Sequence, residues 1–201
     1  MRRPGSDIVD LDWFKPVNDT FGHAAGDRVL LQVRGILEKA CRNSDVLVRW
    51  GGDEFLVVGR NADVHALEAV PERIRALIEE TAFDLGDGQV AHLTCSIGFT
   101  TNPVFGRSPH ILTLEQVVAL ADGALYIAKK TAGRNAWVGL LGSEKTTLEA
   151  LLRSLRVDPD QIIQEGRLEV RASKDLANAD APADRAPFAK SGAREPTERT
   201  P

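Results

Sequence analysis

Two short runs of apolar, largely β-branched residues flank the tripeptide Gly51-Gly52-Asp53. The first run covers residues 46–50 and the second covers residues 54–58. Because glycine adopts positive φ without strain, this spacing predicts a β-hairpin with the two glycines and the aspartate at its tip. A hairpin commits its two strands to antiparallel pairing within a sheet. An all-helical fold is therefore excluded for this chain.

Strand-like and helix-like patterns alternate over the rest of the first 142 residues. The expected strands are short, largely apolar runs over residues 7–11, 90–100 and 136–141, and the run over residues 90–100 is rich in β-branched residues. Apolar residues recur with a helical period over residues 27–40, 64–81 and 114–130. Elements joined both by a hairpin and by helical crossovers predict an α/β fold of the α+β sandwich type. Its central sheet should be mixed, mainly antiparallel and flanked by helices.

The composition of the chain changes after residue 142. Within residues 143–171, leucines recur at helical spacing, at Leu148, Leu151, Leu152 and Leu155. The stretch that ends this segment, residues 167–171, favours a short strand. Residues 172–201 are rich in alanine, proline and charge and lack the apolar residues that a core needs. We therefore expect a domain over residues 6–142, a C-terminal helical extension over residues 143–171 and a disordered tail over residues 172–201.

Charge and hydropathy exclude two classes of protein. Twenty-five lysines and arginines against 29 aspartates and glutamates give a net charge of −4, which argues against general nucleic-acid binding. No apolar run approaches the roughly 18 to 20 residues that span a bilayer, and the N-terminus lacks the pattern of a secretory signal. We therefore expect a cytoplasmic protein with no nucleic-acid partner and no membrane segment.

Three carboxylates occupy positions where they can converge. Asp10 ends a predicted strand, and Asp53 and Glu54 lie at the predicted hairpin tip. Oxygen ligands of this kind suit Mg²⁺, which proteins usually hold with one or two carboxylates and the phosphates of a nucleotide. The alternative interpretation is that these acids are solvated turn residues. Gly51 and Gly52 beside them would allow a bulky ligand to approach the backbone, although a tight hairpin alone also accounts for them.

A polar group lies between the first strand and the first predicted helix. An amide at Asn18 and a carboxylate at Asp27 can pair with the edge of a purine, and His23 lies between them in the sequence. The alternative is an Asx-turn at Asn18 and a helix cap at Asp27. Cations for a triphosphate are available at Lys15, Lys129, Lys130 and Arg134. The alternative for those late in the third predicted helix is that they complement its dipole.

These residues together resemble a known family. The run Arg49-Trp50-Gly51-Gly52-Asp53-Glu54-Phe55 is similar to the defining motif of the GGDEF family, the diguanylate cyclases. The strand and loop over residues 10–27 resemble the first block of that family. Later blocks resemble it at Ser96-Ile97-Gly98, at residues 121–126 and at Gly133-Arg134-Asn135. The resemblance covers about residues 6–141.

The resemblance implies a fold akin to the palm of class III nucleotide cyclases and the condensation of two GTP into cyclic di-GMP and two pyrophosphates. It implies two Mg²⁺ or Mn²⁺ ions per active site, held by Asp10, the Leu11 carbonyl and Asp53. Asp53 would also accept the proton of the ribose 3′-hydroxyl, with Glu54 supporting metal and substrate. The implied GTP-binding residues are Phe14, Lys15, Asn18, His23, Asp27, Gly51, Gly52, Lys130 and Arg134. Because each protomer would hold one GTP, catalysis implies a homodimer.

A second site is implied on the N-terminal side of the hairpin. Arg42 and Asp45 lie at the distance from Gly51 at which the family has an RxxD product-inhibition motif, and Arg73 resembles the second arginine of that site. Guanidinium groups bind phosphates or a guanine edge through paired hydrogen bonds. The alternative is an exposed Arg42–Asp45 ion pair of little energetic consequence.

Two departures from the family pattern bear on activity. Nine residues precede Asp10, where the family usually has a further helix, so we expect an N-terminally truncated domain. Compared with the family pattern, one extra residue lies between Lys129 and Gly133. We align Lys130 with the phosphate-binding lysine of the family because it is four residues before Arg134, although Lys129 retains the Ala-Lys pair. The alternative function is a catalytically inactive module that binds cyclic di-GMP or GTP.

Overall fold

Strands and helices alternate along the part of the chain that the structure, a computed structural model, describes: residues 2–63, 67–101, 112–142, 168–174 and 176. The strands are β1 (Arg2–Asp12), β2 (Val46–Gly51), β3 (Glu54–Asp63), β4 (Ala82–Gly86), β5 (Gln89–His92), β6 (Thr94–Thr101), β7 (Trp137–Gly142) and β8 (Leu168–Ala172). The helices are α1 (Phe14–Phe21), α2 (His23–Ala40), α3 (Ala69–Glu80) and α4 (Leu114–Lys130). No helix of these described segments is long and apolar enough to cross a membrane.

The central sheet has six strands in the order β2-β3-β1-β6-β7-β8. Strands β6 and β7 run parallel, and the other neighbouring pairs are antiparallel. A separate two-stranded sheet pairs β4 with β5. The expected fold, a mixed and mainly antiparallel sheet with helices on its faces, is therefore confirmed.

The predicted hairpin is present, and it pairs β3 with the central strand β1. The register places Asp10 opposite Glu54 on β3 and opposite Ser96 on β6. The backbone N–H of Leu11 donates to the carbonyl of Asp53, with 3.4 Å between the nitrogen and the oxygen. The end of β1 and the hairpin tip are thus held side by side.

Several of the predicted elements differ in extent from those in the structure. The segment between β1 and the helix expected at residue 27 is itself helical, as α1 and the first turn of α2, with Gly22 at φ 81° between them. Pro16 is compatible with this because it lies in the first turn of α1, where no intrahelical N–H bond is lost. The strand expected over residues 90–100 is two strands, β5 and β6, which belong to different sheets.

The helix expected over residues 64–81 begins at Ala69 in the structure, and residues 64–66 lie outside the described part of the chain. The short strand expected over residues 167–171 is present as β8, and it pairs with β7. The helix expected in the extension lies outside the described residues, as does most of the tail. The division of the chain into a domain, an extension and a tail therefore stays a prediction.

Helices cover both faces of the sheet. Helices α2 and α3 pack on the face that carries Val9, Leu11 and Val57. Helix α4 packs on the other face, where its Ala121 and Leu125 contact Ile8. A capping box formed by Thr113 and Gln116 begins α4, whose bounds match the prediction.

The contact between α4 and β6 depends on a residue without a side chain. A Cβ built at Gly98 would lie 2.1 Å from the carbonyl oxygen of Ala121 and 2.2 Å from the backbone nitrogen of Leu125. Both of these atoms belong to helix backbone, which cannot move without displacing the helix. Gly98 therefore sets how closely α4 approaches the sheet.

We predict that Gly98→Ala lowers the free energy of unfolding by about 3 kcal/mol, because a buried methyl group would force α4 away from β6. The matched control is Gly35→Ala on α2, where an added Cβ meets no atom within 4 Å. That change should raise stability by roughly 0.5 to 1 kcal/mol, since alanine favours a helix over glycine. Urea unfolding of both variants tests the pair, and an equal effect of the two would contradict the prediction.

Candidate functional site

The hairpin tip faces the corner between α1 and α2 across a cavity of about 330 Å³. The guanidinium group of Arg49 donates two hydrogen bonds to the carbonyl oxygen of Gly52, at 3.1 and 2.9 Å, and so braces the tip. The residues that line the cavity are Phe14, Lys15, Asn18, His23, Asp27, Leu30, Arg49, Gly52 and Asp53. The structure therefore brings most of the residues that the sequence pointed to for GTP into one cavity.

The shape of this corner follows from two glycines. Gly22 ends α1 with its N–H donating to the carbonyl of Asn18, at 2.9 Å, and it precedes α2 directly. Gly26 lets the two helices pack closely, because a Cβ there would lie 2.0 Å from Asn18 Oδ1. Asn18 lies within α1 and Asp27 lies inside α2, so the alternative roles of an Asx-turn and a helix cap were wrong. The Asp27 side chain is exposed and free of any capping role.

Asp10 lies at the end of β1 with its side chain on the α4 face of the sheet. Its carboxylate forms an ion pair with Lys129, with 2.7 Å between Oδ2 and Nζ, and its side chain is only 9% exposed. Burial raises the pKa of Asp10 to about 6, and the charges of Asp53 and Asp12 act in the same direction while Lys129 opposes them. Asp10 is thus a buried anion that needs a cation beside it.

The structure distinguishes between the two lysines at the end of α4. Lys129 follows Ala121 and Leu125 at intervals of four residues, so it continues the stripe of α4 that lies over β1. Lys130 is exposed, and no contact among the described residues joins it to Asp10 or Asp53. The lysine that reaches the Asp10 carboxylate is therefore Lys129, whereas the alignment with the family pattern favoured Lys130.

Glu54 lies apart from the cavity that holds Asp53. It lines a second cavity of about 460 Å³, between β2 and α4, whose walls include Trp50, Leu114 and Val118. Because successive side chains of a strand alternate in direction, Glu54 lies on the same face of the sheet as its cross-strand partner Asp10. Gly51 lies next to it, since a Cβ at Gly51 would be 3.6 Å from Glu54 Oε2.

Asp12 is a central residue of the site that the sequence reasoning missed. Its buried carboxylate accepts hydrogen bonds from Thr94 Oγ1 and Ser96 Oγ, both at 2.8 Å, and from the backbone N–H of Asn135 at 3.0 Å. It therefore joins β1, β6 and the loop between α4 and β7. The Asp-x-Asp spacing was a usable signal, because residues two apart on a strand share a face.

Arg134 lies on that same loop, next to the N-terminus of α1. Its guanidinium stacks over the Trp13 ring, 4.8 Å from the ring centroid, and its Nε lies 3.8 Å from Asp12 Oδ1. Asn135, which follows it, accepts a hydrogen bond from Arg75 on α3 and donates one to Glu79. Arg134 is thus positioned between the aromatic ring and a buried carboxylate, near the N-terminal end of α1.

The carboxylates at this end of β1 fit a divalent cation. Asp10 already holds the ammonium of Lys129, which shows that its oxygens accept a cation in this setting. No cluster of three or more His, Cys, Asp or Glu side chains arranged for a metal occurs in the described residues. A site with so few carboxylate ligands suits an ion such as Mg²⁺, which takes few protein ligands and completes its shell with water and phosphate.

Arg42, Asp45 and Arg73 line a third cavity, of about 290 Å³, at the far end of β2 from the hairpin tip. The backbone N–H of Arg42 donates to Asp45 Oδ2 at 2.9 Å, which closes the turn before β2. The Arg73 guanidinium donates to the carbonyl of Ala40 at the end of α2. The structure therefore brings together the three residues that resemble the product-inhibition site.

An unexpected carboxylate lies in the wall of that cavity. Asp7 on β1 is buried, and no hydrogen-bond partner for its carboxylate occurs in the described part of the chain. Burial raises the pKa of Asp7 to about 7, and the nearby charge of Asp45 adds to the effect. The sequence pattern hid this residue, because it occurs within an apolar strand.

Comparison with known proteins agrees with this geometry. The family model described as "Diguanylate cyclase, GGDEF domain" matches residues 8–136. Diguanylate cyclase A of Treponema denticola is 41% identical over 128 residues, which are 64% of this chain and 33% of that protein. Diguanylate cyclase DosC of Escherichia coli is 39% identical over 128 residues, which are 64% of this chain and 26% of that protein. The chain thus spans a third or less of the length of these relatives.

Solved structures agree with the sequence comparison. The GGDEF domain of DgcB from Caulobacter crescentus, in complex with c-di-GMP, is 27% identical with a TM-score of 0.58, covering 67% of this chain and 75% of that one. The active GGEEF domain of a Vibrio cholerae diguanylate cyclase is 31% identical with a TM-score of 0.56, and the match covers 66% of this chain and 80% of that one. The six-stranded sheet with helices on both faces is thus the fold of a GGDEF domain. This chain belongs to the GGDEF family.

We predict that the stability of the protein falls as the pH rises from about 4 to 7. Unfolded Asp7 ionises near its ordinary pKa of 3.8, whereas in the folded protein it keeps its proton up to about pH 7. The unfolded state therefore loses its proton first and gains in relative stability over this range, by roughly 2 to 4 kcal/mol for this group. Above about pH 7 Asp7 is ionised in both the folded and the unfolded state, so its contribution to the free energy of unfolding no longer changes with pH.

The variant Asp7→Asn should remove much of this dependence, so that its free energy of unfolding changes less than that of the parent chain between about pH 5 and pH 8. Asp10 contributes in the same direction in both proteins, so the difference between them isolates Asp7. Asp87→Asn, at the exposed turn between β4 and β5, is the control and should follow the parent. Denaturant unfolding at several pH values measures all three, and parallel curves for parent and Asp7→Asn would contradict the prediction.

Proposed function

We propose that this chain is a diguanylate cyclase domain that condenses two GTP into cyclic di-GMP and two pyrophosphates. The observation that carries the proposal is that Asp53, at the hairpin tip, shares one cavity with Lys15, Asn18 and Asp27. One cavity thus contains a carboxylate for proton transfer, a cation for phosphate and two groups that can pair with a purine edge. Because the relatives named above are themselves called diguanylate cyclases, an inactive binding module is the less favoured alternative.

Guanine recognition falls to the corner between α1 and α2. The Asp27 carboxylate accepts hydrogen bonds from the N–H groups of the guanine edge, and the Asn18 amide both donates and accepts. His23, at the start of α2, lies in the same cavity and would face the sugar. The ring of Phe14 and the side chain of Lys15 would lie along the phosphates. A purine without the N–H donors of guanine would leave Asp27 unpaired, which gives a basis for selecting GTP.

The reaction requires that a 3′-oxygen attack an α-phosphorus. Asp53 accepts the proton of the 3′-hydroxyl, the oxygen forms a bond to the α-phosphorus of the second GTP, and the bond from that phosphorus to the bridging oxygen breaks to release pyrophosphate. The same step with the roles exchanged closes the ring. General-base assistance of this kind contributes about 10²- to 10⁴-fold to the rate.

Mg²⁺ or Mn²⁺, two per site, would be held by Asp10, the Leu11 carbonyl and Asp53, with Glu54 in support. Such ions, when bound, neutralise the phosphates and lower the pKa of the attacking hydroxyl. Lys129, whose ammonium pairs with Asp10 in this structure, would be free to bind the phosphates when Asp10 serves as a metal ligand. Arg134, stacked on Trp13, supplies a second cation. Lys130 would act on the phosphates only as a positive charge farther from Asp10 and Asp53.

The two GTP molecules come from two chains. The cavity at the hairpin tip holds the guanine-binding groups for one nucleotide, and the attacking and attacked atoms must belong to different nucleotides. We therefore propose a homodimer in which two such cavities face each other. Each protomer then supplies one GTP, one Asp53 and one set of cations.

Product inhibition would use the cavity at the other end of β2. Arg42 and Arg73 present guanidinium groups for phosphate or guanine, and Asp45 can accept from a guanine edge. Strand β2 separates this cavity from the hairpin tip by roughly 17 Å at the usual rise per residue. Bound cyclic di-GMP would thus act at a distance from the reacting atoms.

We predict that the full chain forms cyclic di-GMP from GTP and Mg²⁺, and that Asp53→Asn lowers the initial rate about a thousandfold because the proton acceptor is lost. Chromatography of the nucleotides measures product and pyrophosphate release together. The control Asp87→Asn changes an exposed turn aspartate and should keep the parent rate. A folded parent chain that yields no cyclic di-GMP over a range of protein concentrations would overturn the proposed activity.

We predict that Arg42→Ala weakens the binding of cyclic di-GMP by at least about tenfold, since a charged hydrogen-bonding partner of the phosphate or base is removed. Titration calorimetry with cyclic di-GMP measures the dissociation constant. Arg34→Ala is the matched control, because Arg34 lies on the exposed side of α2 in an ion pair with Glu38. Equal binding by the Arg42→Ala variant and the parent would contradict the product site.

A further inference from the structure

The loop between α4 and β7 contains consecutive residues in the left-handed region of backbone conformation. Gly133, Arg134 and Asn135 have φ values of 70°, 64° and 45°. Glycine adopts such values freely, but the side chains of the other two residues disfavour them. Residues in this state keep it only where their surroundings hold them.

The peptide group between Arg134 and Asn135 is held on both of its sides. Its N–H, which belongs to Asn135, donates to Asp12 Oδ2 at 3.0 Å. Its carbonyl, which belongs to Arg134, accepts a hydrogen bond from Lys174 Nζ at 2.6 Å. These two bonds determine the orientation of the peptide plane. The plane in turn sets the direction in which the Arg134 side chain leaves the backbone.

Lys174 reaches this position because β8 is paired with β7. The N–H of Ser173 donates to the carbonyl of Trp137, and the N–H of Trp137 donates to Ser173 Oγ, each at 3.0 Å. Ser173 is thereby placed beside Trp137, so the next residue lies beside the loop that precedes β7. The family model ends at residue 136, so Lys174 comes from the part of the chain that follows the family domain.

We propose that Lys174 is a positioning residue for Arg134: it holds the Arg134 carbonyl and so fixes the direction of the guanidinium that meets the GTP triphosphate. This inference rests on the proposed function of Arg134 as a phosphate ligand. The guanidinium is planar and binds phosphate through paired N–H groups, so its direction matters more than its charge alone. The Arg134 guanidinium also stacks on the Trp13 ring, 4.8 Å from its centroid, and this contact restrains the same side chain.

The test measures nucleotide binding by the full chain with Mg²⁺ and 3′-deoxy-GTP, which lacks the attacking hydroxyl and is not converted. Lys174→Met should raise the dissociation constant about fivefold, which is the size of effect expected from one ordinary, solvent-exposed hydrogen bond. The dissociation constant for 3′-deoxy-GMP, which lacks the β- and γ-phosphates, should stay the same. Lys174→Arg keeps a donor and should recover most of the affinity. Equal losses for both nucleotides, or no loss for either, would overturn the proposal.

A matched control comes from the same strand. Arg171 on β8 forms ion pairs with Glu68 and Glu169, at 3.0 and 2.9 Å, rather than with the loop. Arg171→Met removes a positive charge from β8 and should leave the affinity for 3′-deoxy-GTP within about twofold of the parent. A loss as large as that of Lys174→Met would assign the effect to the docking of β8 or to overall charge, and would overturn the proposal.

A double-mutant cycle separates positioning from direct contact. If Lys174 acts through Arg134, then Lys174→Met should cause no further loss of 3′-deoxy-GTP affinity in an Arg134→Ala background. Additive losses would mean that Lys174 meets the phosphates itself, which contradicts the positioning role. These measurements need no turnover, so a parent chain that forms no cyclic di-GMP would contradict the proposed function without deciding this point. Normal binding by Lys174→Met in an active chain would contradict this inference alone.

Discussion

The buried carboxylate of Asp12 is the interaction on which the rest of the site depends. It accepts hydrogen bonds from two β6 hydroxyls and from the backbone of Asn135, and so satisfies a charge that would be costly to bury alone. Through these bonds it holds the end of β1, which carries Asp10, against the loop that carries Arg134. The proposed metal-binding and phosphate-binding groups, which come from distant parts of the sequence, are thereby held next to each other. The close approach of α4 to β6 at Gly98 then brings Lys129 to the same end of the sheet.

Helix α3 contacts both of the sites that the fold presents. Its Arg73 lies at the cavity beside Arg42 and Asp45, where it donates to the end of α2. Its Arg75 forms ion pairs with Glu72 and Glu79 and donates to Asn135, at the loop that carries Arg134. Helix α3 therefore joins the cavity at the far end of β2 to the loop that carries Arg134. The physical link is a short chain of side chains on one rigid helix.

The accuracy of the sequence predictions varied with how local the signal was. Helix α4 was predicted with the bounds that the structure shows, because the helical period of its apolar residues and the glycine at position 133 that follows it are local signals. The hairpin was equally clear, since Gly51-Gly52-Asp53 separates two apolar runs. Helix α1 was missed because it has only eight residues and contains Pro16. The strand predicted over residues 90–100 was two strands, because a continuous β-branched pattern does not reveal that the pairing partner changes.

The sequence by itself determined the chemistry that is available and the family: the carboxylates, the hairpin glycines and the Asn18–Asp27 pair are all readable as residues at fixed spacings. Tertiary structure decided which of them meet. Successive residues of a helix point about 100° apart, so the rotation of α4 on the sheet brings Lys129 rather than Lys130 to Asp10. Strand register likewise places Glu54 across from Asp10, outside the cavity of Asp53, and Lys174 beside Arg134. Contacts between residues this far apart in sequence depend on packing and pairing, which no local pattern encodes.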